Sequence, residues 1–232
     1  MHKSDVLNLE ARRKIYNYVL ENPGLHLHEI ARRLKLTFNN LEYHINFLRK
    51  IGFITIKKEK FYTRVYAKDK VSILDKKYLN ILQQRTPRRI LLALILKGAY
   101  TQQEISEFLD KHPTTISYHL KRLLDIGIIK KAKYKDGIVF LNRSDKRMLE
   151  RKCSKNEIFY TLDNYDYTKN IFLTYKKSLY KDKIFKFGME YIEMVSSAFN
   201  KSNKTKNIKT SKFYNDKFYN VIYEILPCPF CA

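Results

Sequence analysis

At 232 residues and 44% hydrophobic composition, the chain has room for two small domains and an appendage, each with its own core. Its 46 basic and 23 acidic residues leave a net charge of +23, which argues against an ordinary metabolic enzyme and favours a polyanionic partner, nucleic acid before an acidic membrane surface; lysine enrichment from an AT-rich genome is the bland alternative. No apolar run approaches 18 residues, the first 14 residues lack the apolar stretch of a signal peptide, and three cysteines make no disulfide framework, so a cytoplasmic protein is expected.

Leu9, Ile15, Tyr18 and Val19 have helical spacing, and Asn22-Pro23-Gly24 breaks that helix. His28 to Leu34 reads as a short second helix with Ile30, Ala31 and Leu34 inward. Thr37 is placed to cap a third helix running to Lys50, and Gly52 to end it. Two β-rich runs follow, Phe53 to Ile56 and Phe61 to Tyr66, joined by a charged turn. Residues 71–84 then carry a helical stripe of Leu74, Tyr78, Ile81 and Leu82.

The order repeats. Residues 12–54 align without a gap on residues 87–129, 75 positions on, with 11 of 43 positions identical. Arg89 to Leu96 is the first helix of the second copy, stopped by Gly98, and Thr101-Gln102-Gln103-Glu104 is a capping-box pattern. Pro113 suits the first turn of a third helix that Gly127 closes. Ile128 to Tyr134 and Ile138 to Leu141 read as strands, with Asp136-Gly137 as the turn between them.

Beyond the copies, Ile171, Phe172, Tyr175 and Leu179 suggest one amphipathic helix, and Ile184, Phe187, Tyr191, Val195 and Phe199 a longer one. Residues 201–211 form a lysine-rich loop, and Phe218, Val221, Ile222 and Ile225 a last short helix. The expected organisation is a first module at 1–70, a linker helix at 71–85, a second module at 86–145 and a helical C-terminal region at 146–232. The fold class is mainly α with small β-hairpin wings.

The phrases Tyr43-His44-Ile45, Leu48 and Ile51-Gly52-Phe53-Ile54, and Tyr118-His119-Leu120, Leu123 and Ile126-Gly127-Ile128-Ile129, carry a resemblance. They are similar to the third helix and wing entry of winged helix-turn-helix proteins, specifically ArsR-like transcriptional regulators of prokaryotes and archaea. The resemblance covers about residues 10–68 and 86–143 and implies a sequence-specific double-stranded DNA-binding regulator, expected to be a repressor. A replication initiator, or a viral or plasmid DNA-handling protein with paired winged helices, is the alternative; an interaction scaffold that has lost DNA binding is a third.

In such a motif the third helix of each copy enters the major groove. Helical arithmetic puts Asn39, Tyr43, Asn46 and Lys50 opposite the apolar stripe of the first, and Thr114, Tyr118, Lys121 and Asp125 opposite that of the second. Asn39, Asn40, Tyr43 and Asn46, with Thr114, Thr115, Tyr118 and Lys121, are therefore the candidate base readers. The differing chemistry of Asn39-Asn40 and Thr114-Thr115 predicts two unlike half-sites. Lys57, Lys58, Lys60 and Arg64 in the first wing, and Lys130, Lys131, Lys133 and Lys135 in the second, are the candidate phosphate contacts. Arg12, Arg13, Arg32, Arg33, Arg88 and Arg89 are further candidates for the DNA backbone.

His44 and His119 are expected to pack beside the core rather than form a site. Cys228 and Cys231 make a CxxC pair, half of a zinc site at most and a weak candidate. The chain has six glycines and no phosphate-cradling loop, HExxH or GxSxG, so neither an enzyme nor a cofactor is expected. Family members pair single modules, so this chain is either its own pseudo-dimer or a homodimer through the linker helix or the C-terminal helices.

Overall fold

A computed structural model describes residues 9–58, 63–135, 138–140, 148–150, 157–179, 185–186, 188–190 and 192–194. The described chain is mainly helical with small antiparallel sheets, and it divides into two compact units. The first comprises residues 1–84 and 175–179, the second residues 85–174 and 180–232.

In the first unit, α1 (Glu10–Glu21) buries Ile15 and Val19. It ends where the Asn22 backbone and side-chain amides both donate to the Tyr18 carbonyl. Gly24 then turns the chain at φ 82°, with the Tyr66 ring 3.2 Å from where a Cβ would stand, so the turn needs glycine twice over. Next come α2 (Leu27–Leu34) and α3 (Phe38–Lys50). His26 caps α2 by accepting the Glu29 N–H, and Thr37 caps α3 by accepting that of Asn40. Ile30 and Ala31 of α2 and Leu41, Ile45 and Leu48 of α3 close on Ile15 and Val19 to form the core.

β1 (Ile54–Lys58) and β2 (Thr63–Ala67) pair antiparallel from Ile54↔Ala67 to Lys58↔Thr63. A single bridge, His26↔Arg64, adds the rudiment of a third strand. α4 (Ile73–Leu82), capped by Ser72, buries Tyr78, Leu79, Ile81 and Leu82. Leu74 is exposed instead of inward, and Leu79 takes the inward place. Tyr175 packs with Tyr66, Val71 and Leu79, and its hydroxyl donates to Asp75 at 2.9 Å.

The second unit begins with α5 (Arg85–Lys97), in which every residue from Pro87 to Ile95 is buried. Its run Ile90–Ile95 is apolar on every face, as in an interior helix, and Arg88 and Arg89 are buried with it. β3 (Ala99–Thr101), α6 (Gln102–Leu109) and α7 (Pro113–Ile126) follow. The Thr101–Glu104 capping box is present in both directions, and Pro113 opens α7. Gly127 closes α7 at φ 73°. Ile105, Leu109, Ile116, Leu120 and Leu123 fill the places of Ile30, Leu34, Leu41, Ile45 and Leu48.

The sheet is where the copies part. β4 (Ile129–Lys135), β5 (Ile138–Phe140), β6 (Met148–Glu150) and β7 (Phe159–Leu162) join β3 in the order β3-β7-β4-β5-β6, antiparallel throughout. The strand that closes the module beside β3 is β7, not β5. Ile129 pairs with Leu162 as Ile54 pairs with Ala67, and Thr101 pairs with Phe159 as His26 bridges Arg64. The second module therefore reaches its closing strand 20 residues later than the first and carries β5 and β6 in the excursion.

Residues 146–232 were expected to be helical; within them β6 and β7 are strands. Phe159, Tyr160, Thr161 and Leu162 are all buried, so β7 shows no polar–apolar alternation to mark it. Helices resume with α8 (Tyr165–Thr174) and α9 (Lys176–Leu179). Phe185, Met189 and Ile192 are buried at helical spacing, with the Phe185 ring 5.4 Å from Phe172. Ile184, Phe187, Tyr191, Val195 and Phe199, the 201–211 loop, the 218–225 helix and the Asp136-Gly137 turn lie outside the described residues.

Candidate nucleic-acid interface

Each third helix has one face committed to its core and the other left to solvent. On α3, Asn39, Asn40, Tyr43 and Asn46 are exposed while Leu41, Ile45 and Leu48 are buried. On α7, Thr114, Thr115, Tyr118 and Lys121 are exposed opposite Ile116, Leu120 and Leu123. Tyr43 and Tyr118 are 62% and 64% exposed. Each stands edge-on to the next histidine at 5.2 Å and 70°, so the two copies present the same construction.

His112 belongs to this surface, and the sequence reading overlooked it. It is the N-cap of α7: its Nδ1 accepts the Thr114 N–H at 3.4 Å and lies 2.8 Å from Thr114 Oγ1. The signal was the position itself, immediately before Pro113 and aligned with the capping Thr37.

α2 carries a second charged cluster. Glu29 bonds Arg32 at 2.9 Å and Arg33 at 2.7 Å. The Arg32 hydrogen bond outweighs partial burial and, with Arg33, holds the Glu29 carboxyl at about 2. Both arginines remain exposed.

Among the wing cations, Lys57, Lys58 and Lys131 are exposed. Lys130 is half-buried and lies 3.6 Å from the Asp163 carboxylate. Lys60 and the side chains of Lys133 and Lys135 lie outside the described residues. Arg64 corrects the expectation of a phosphate contact. It is 3% exposed, and its Nη1 donates to the Gly24 carbonyl at 2.7 Å, because the His26↔Arg64 bridge brings that strand against the turn. Arg88 and Arg89 are likewise interior, on the buried helix α5, with Arg88 5.2 Å from the Phe185 ring, so neither reaches a DNA backbone. Arg12 is half-buried and stacks on Phe47 at 3.7 Å; Arg13 is exposed.

His44 is buried and His119 half-buried. The Nδ1 of each is buried with no hydrogen-bond partner among the described residues. Burial, then the charge of Arg12, pushes the His44 pKa below its ordinary 6.5; burial, then Arg122, does the same to His119. Both rings therefore enter the fold neutral. The stability they contribute is present above the ordinary pKa and is lost as the pH falls below it through the depressed values, because the unfolded chain takes up protons the fold refuses. The urea midpoint should fall between about pH 7 and about pH 5, and His44→Gln/His119→Gln should flatten that fall. An unchanged profile in the double variant would uncouple these rings from folding.

Among the described residues no group of His, Cys, Asp or Glu could hold a metal ion, and no helix is long and apolar enough to cross a membrane. Cys228 and Cys231 lie outside the described residues.

Two segments, residues 9–55 and 75–130, match the winged helix-turn-helix DNA-binding family. The first runs from the start of α1 into β1, and the second from within α4 into β4. An uncharacterized HTH-type transcriptional regulator of Methanocaldococcus jannaschii is 32% identical over 141 residues, 60% of this chain. The chain spans about a third of that curated relative's length (35%). A solved structure of ScpB from Mycobacterium tuberculosis aligns over 71% of this chain and 97% of its own, at 9% identity and a TM-score of 0.25, too low to carry an argument.

Proposed function

We propose that this chain is a cytoplasmic, sequence-specific double-stranded DNA-binding regulator of the ArsR-like kind, acting as a repressor by occluding its site. α3 and α7 each enter a major groove, their exposed faces reading bases. Lys57 and Lys58 of one wing, and Lys131 with its β4 neighbours of the other, hold phosphates. The observation that carries this reading is the duplicated face: two helices, each with an exposed tyrosine edge-on to the following histidine in the same geometry, each followed by a lysine-bearing strand. Similarity of both segments to the winged helix-turn-helix DNA-binding family supports it.

The division of labour is testable. Asn39→Ala/Asn40→Ala should relax base preference in one half-site, since each amide can bond an adenine edge, and leave nonspecific affinity nearly intact. Lys57→Ala/Lys58→Ala should weaken all sequences alike and flatten the slope of log affinity against log salt by up to about 1.8, roughly 0.9 per lost phosphate contact. If both pairs behave identically in binding to a randomised duplex library, the separation into readers and clamps is wrong.

A further inference from the structure

The 75-residue offset allows the two helix-turn-helix surfaces to be compared position by position. Residues 27–50 contain five basic and two acidic residues, net +3; residues 102–125 contain three and four, net −1. Three differences are outright reversals of sign: Arg32 against Glu107, Lys35 against Asp110, and Lys50 against Asp125. All six residues are exposed. Nor does a changed backbone account for the reversals. Lys35 and Asp110 are both helix C-caps in the left-handed region, at φ 55° and 48°. Lys50 and Asp125 both lie in the last turn of the third helix. Arg32, although bonded to Glu29, keeps a side chain 71% exposed.

Resting on the DNA-binding reading above, we infer that the two modules hold DNA unequally. The first helix-turn-helix is the electrostatic anchor; the second is a weak reader that closes on its half-site only once the first is bound. A duplex presents one phosphate charge per about 1.7 Å of axis, and exposed charges act over a Debye length of about 8 Å at physiological salt. Exchanging three cations for three anions on a docking surface therefore removes attraction and adds repulsion within range of several phosphates. The second module is not excluded from DNA, because Lys131 stands exposed on its wing strand. Covalent linkage supplies the rest: once the first module is bound, the second is tethered to the same duplex and need not find it from free solution. Site recognition thus has an order, anchor first and test second.

The experiment uses the full chain and a mixed-sequence linear duplex long enough for both modules, with affinity measured across a salt series. One variant neutralises the anchor (Arg32→Gln/Lys35→Asn/Lys50→Gln); the other neutralises the acidic surface (Glu107→Gln/Asp110→Asn/Asp125→Asn). Asparagine is chosen at the two C-caps because it tolerates a positive φ. Far-UV circular dichroism and thermal midpoints establish that both variants are folded. The first should lose at least tenfold in affinity and flatten the salt slope by up to about 2.7; the second should bind several-fold tighter. If the acidic set leaves affinity unchanged, its surface does not face DNA and the inference falls. A loss of no more than twofold in the anchor set removes the anchor. A wild-type chain with no salt-sensitive affinity would instead overturn the DNA-binding reading itself.

Discussion

Phe159→Ala should destabilise the second unit by about 3–5 kcal/mol, the usual cost of emptying a buried aromatic site, and leave the first unit's unfolding where it was. Phe159 is 1% exposed and is the cross-strand partner of Thr101 on one side and Ala132 on the other. β7 is therefore the strand that joins β3 to β4, and without its anchor β3 would lose its partner and β4 would keep only β5. Urea unfolding followed by far-UV circular dichroism checks this, since the chain has no tryptophan to report on a single module. A cost under about 1 kcal/mol would make β7 a peripheral addition. The outcome matters for function because α7 is connected directly to β4 through Gly127. On the DNA-binding reading proposed above, a second module that loses β7 should lose its half-site even with every outward residue of α7 intact.

Helix boundaries were legible because their signals are local. Thr37, the Thr101–Glu104 box, Pro113, Gly52 and Gly127 each act within a few residues, and a local signal needs no tertiary context. The exposed faces of α3 and α7 were legible for the same reason: the apolar stripes of Leu41, Ile45, Leu48 and of Ile116, Leu120, Leu123 fix which way the remainder points. β7 was not legible, because what makes it a strand is pairing with residues about 30 and about 60 positions earlier, and Phe-Tyr-Thr-Leu buried on both faces lacks the period of two that marks a half-exposed strand. The ungapped repeat also ends at residue 129, before the 20-residue excursion that displaces the closing strand. Charge reversal between the copies could be read from the alignment, but its weight depended on all six side chains being exposed, which sequence spacing leaves open.

Arg64 shows the same limit at a single residue, and it yields the second large expected effect. Lying in a wing with Lys57, Lys58 and Lys60, it reads as one more phosphate contact; in the fold its guanidinium lies inside and donates to the Gly24 carbonyl, 40 residues earlier. Arg64→Ala should therefore cost the first unit about 2–4 kcal/mol, combining lost packing with a buried carbonyl left without its donor. The strain would fall on the turn where Gly24 already sits at φ 82° against Tyr66. Lys57→Ala/Lys58→Ala makes the contrast, since both residues are exposed and their replacement should change stability by no more than about 0.5 kcal/mol while flattening the salt slope. Under conditions where Arg64→Ala remains folded, its salt slope should equal that of the unaltered chain. The opposite pattern, unchanged stability with a slope reduced by about 0.9, would mean that the guanidinium leaves Gly24 to meet phosphate. The second module favours the structural role: it fills the equivalent ladder position with Phe159, which carries no charge to offer.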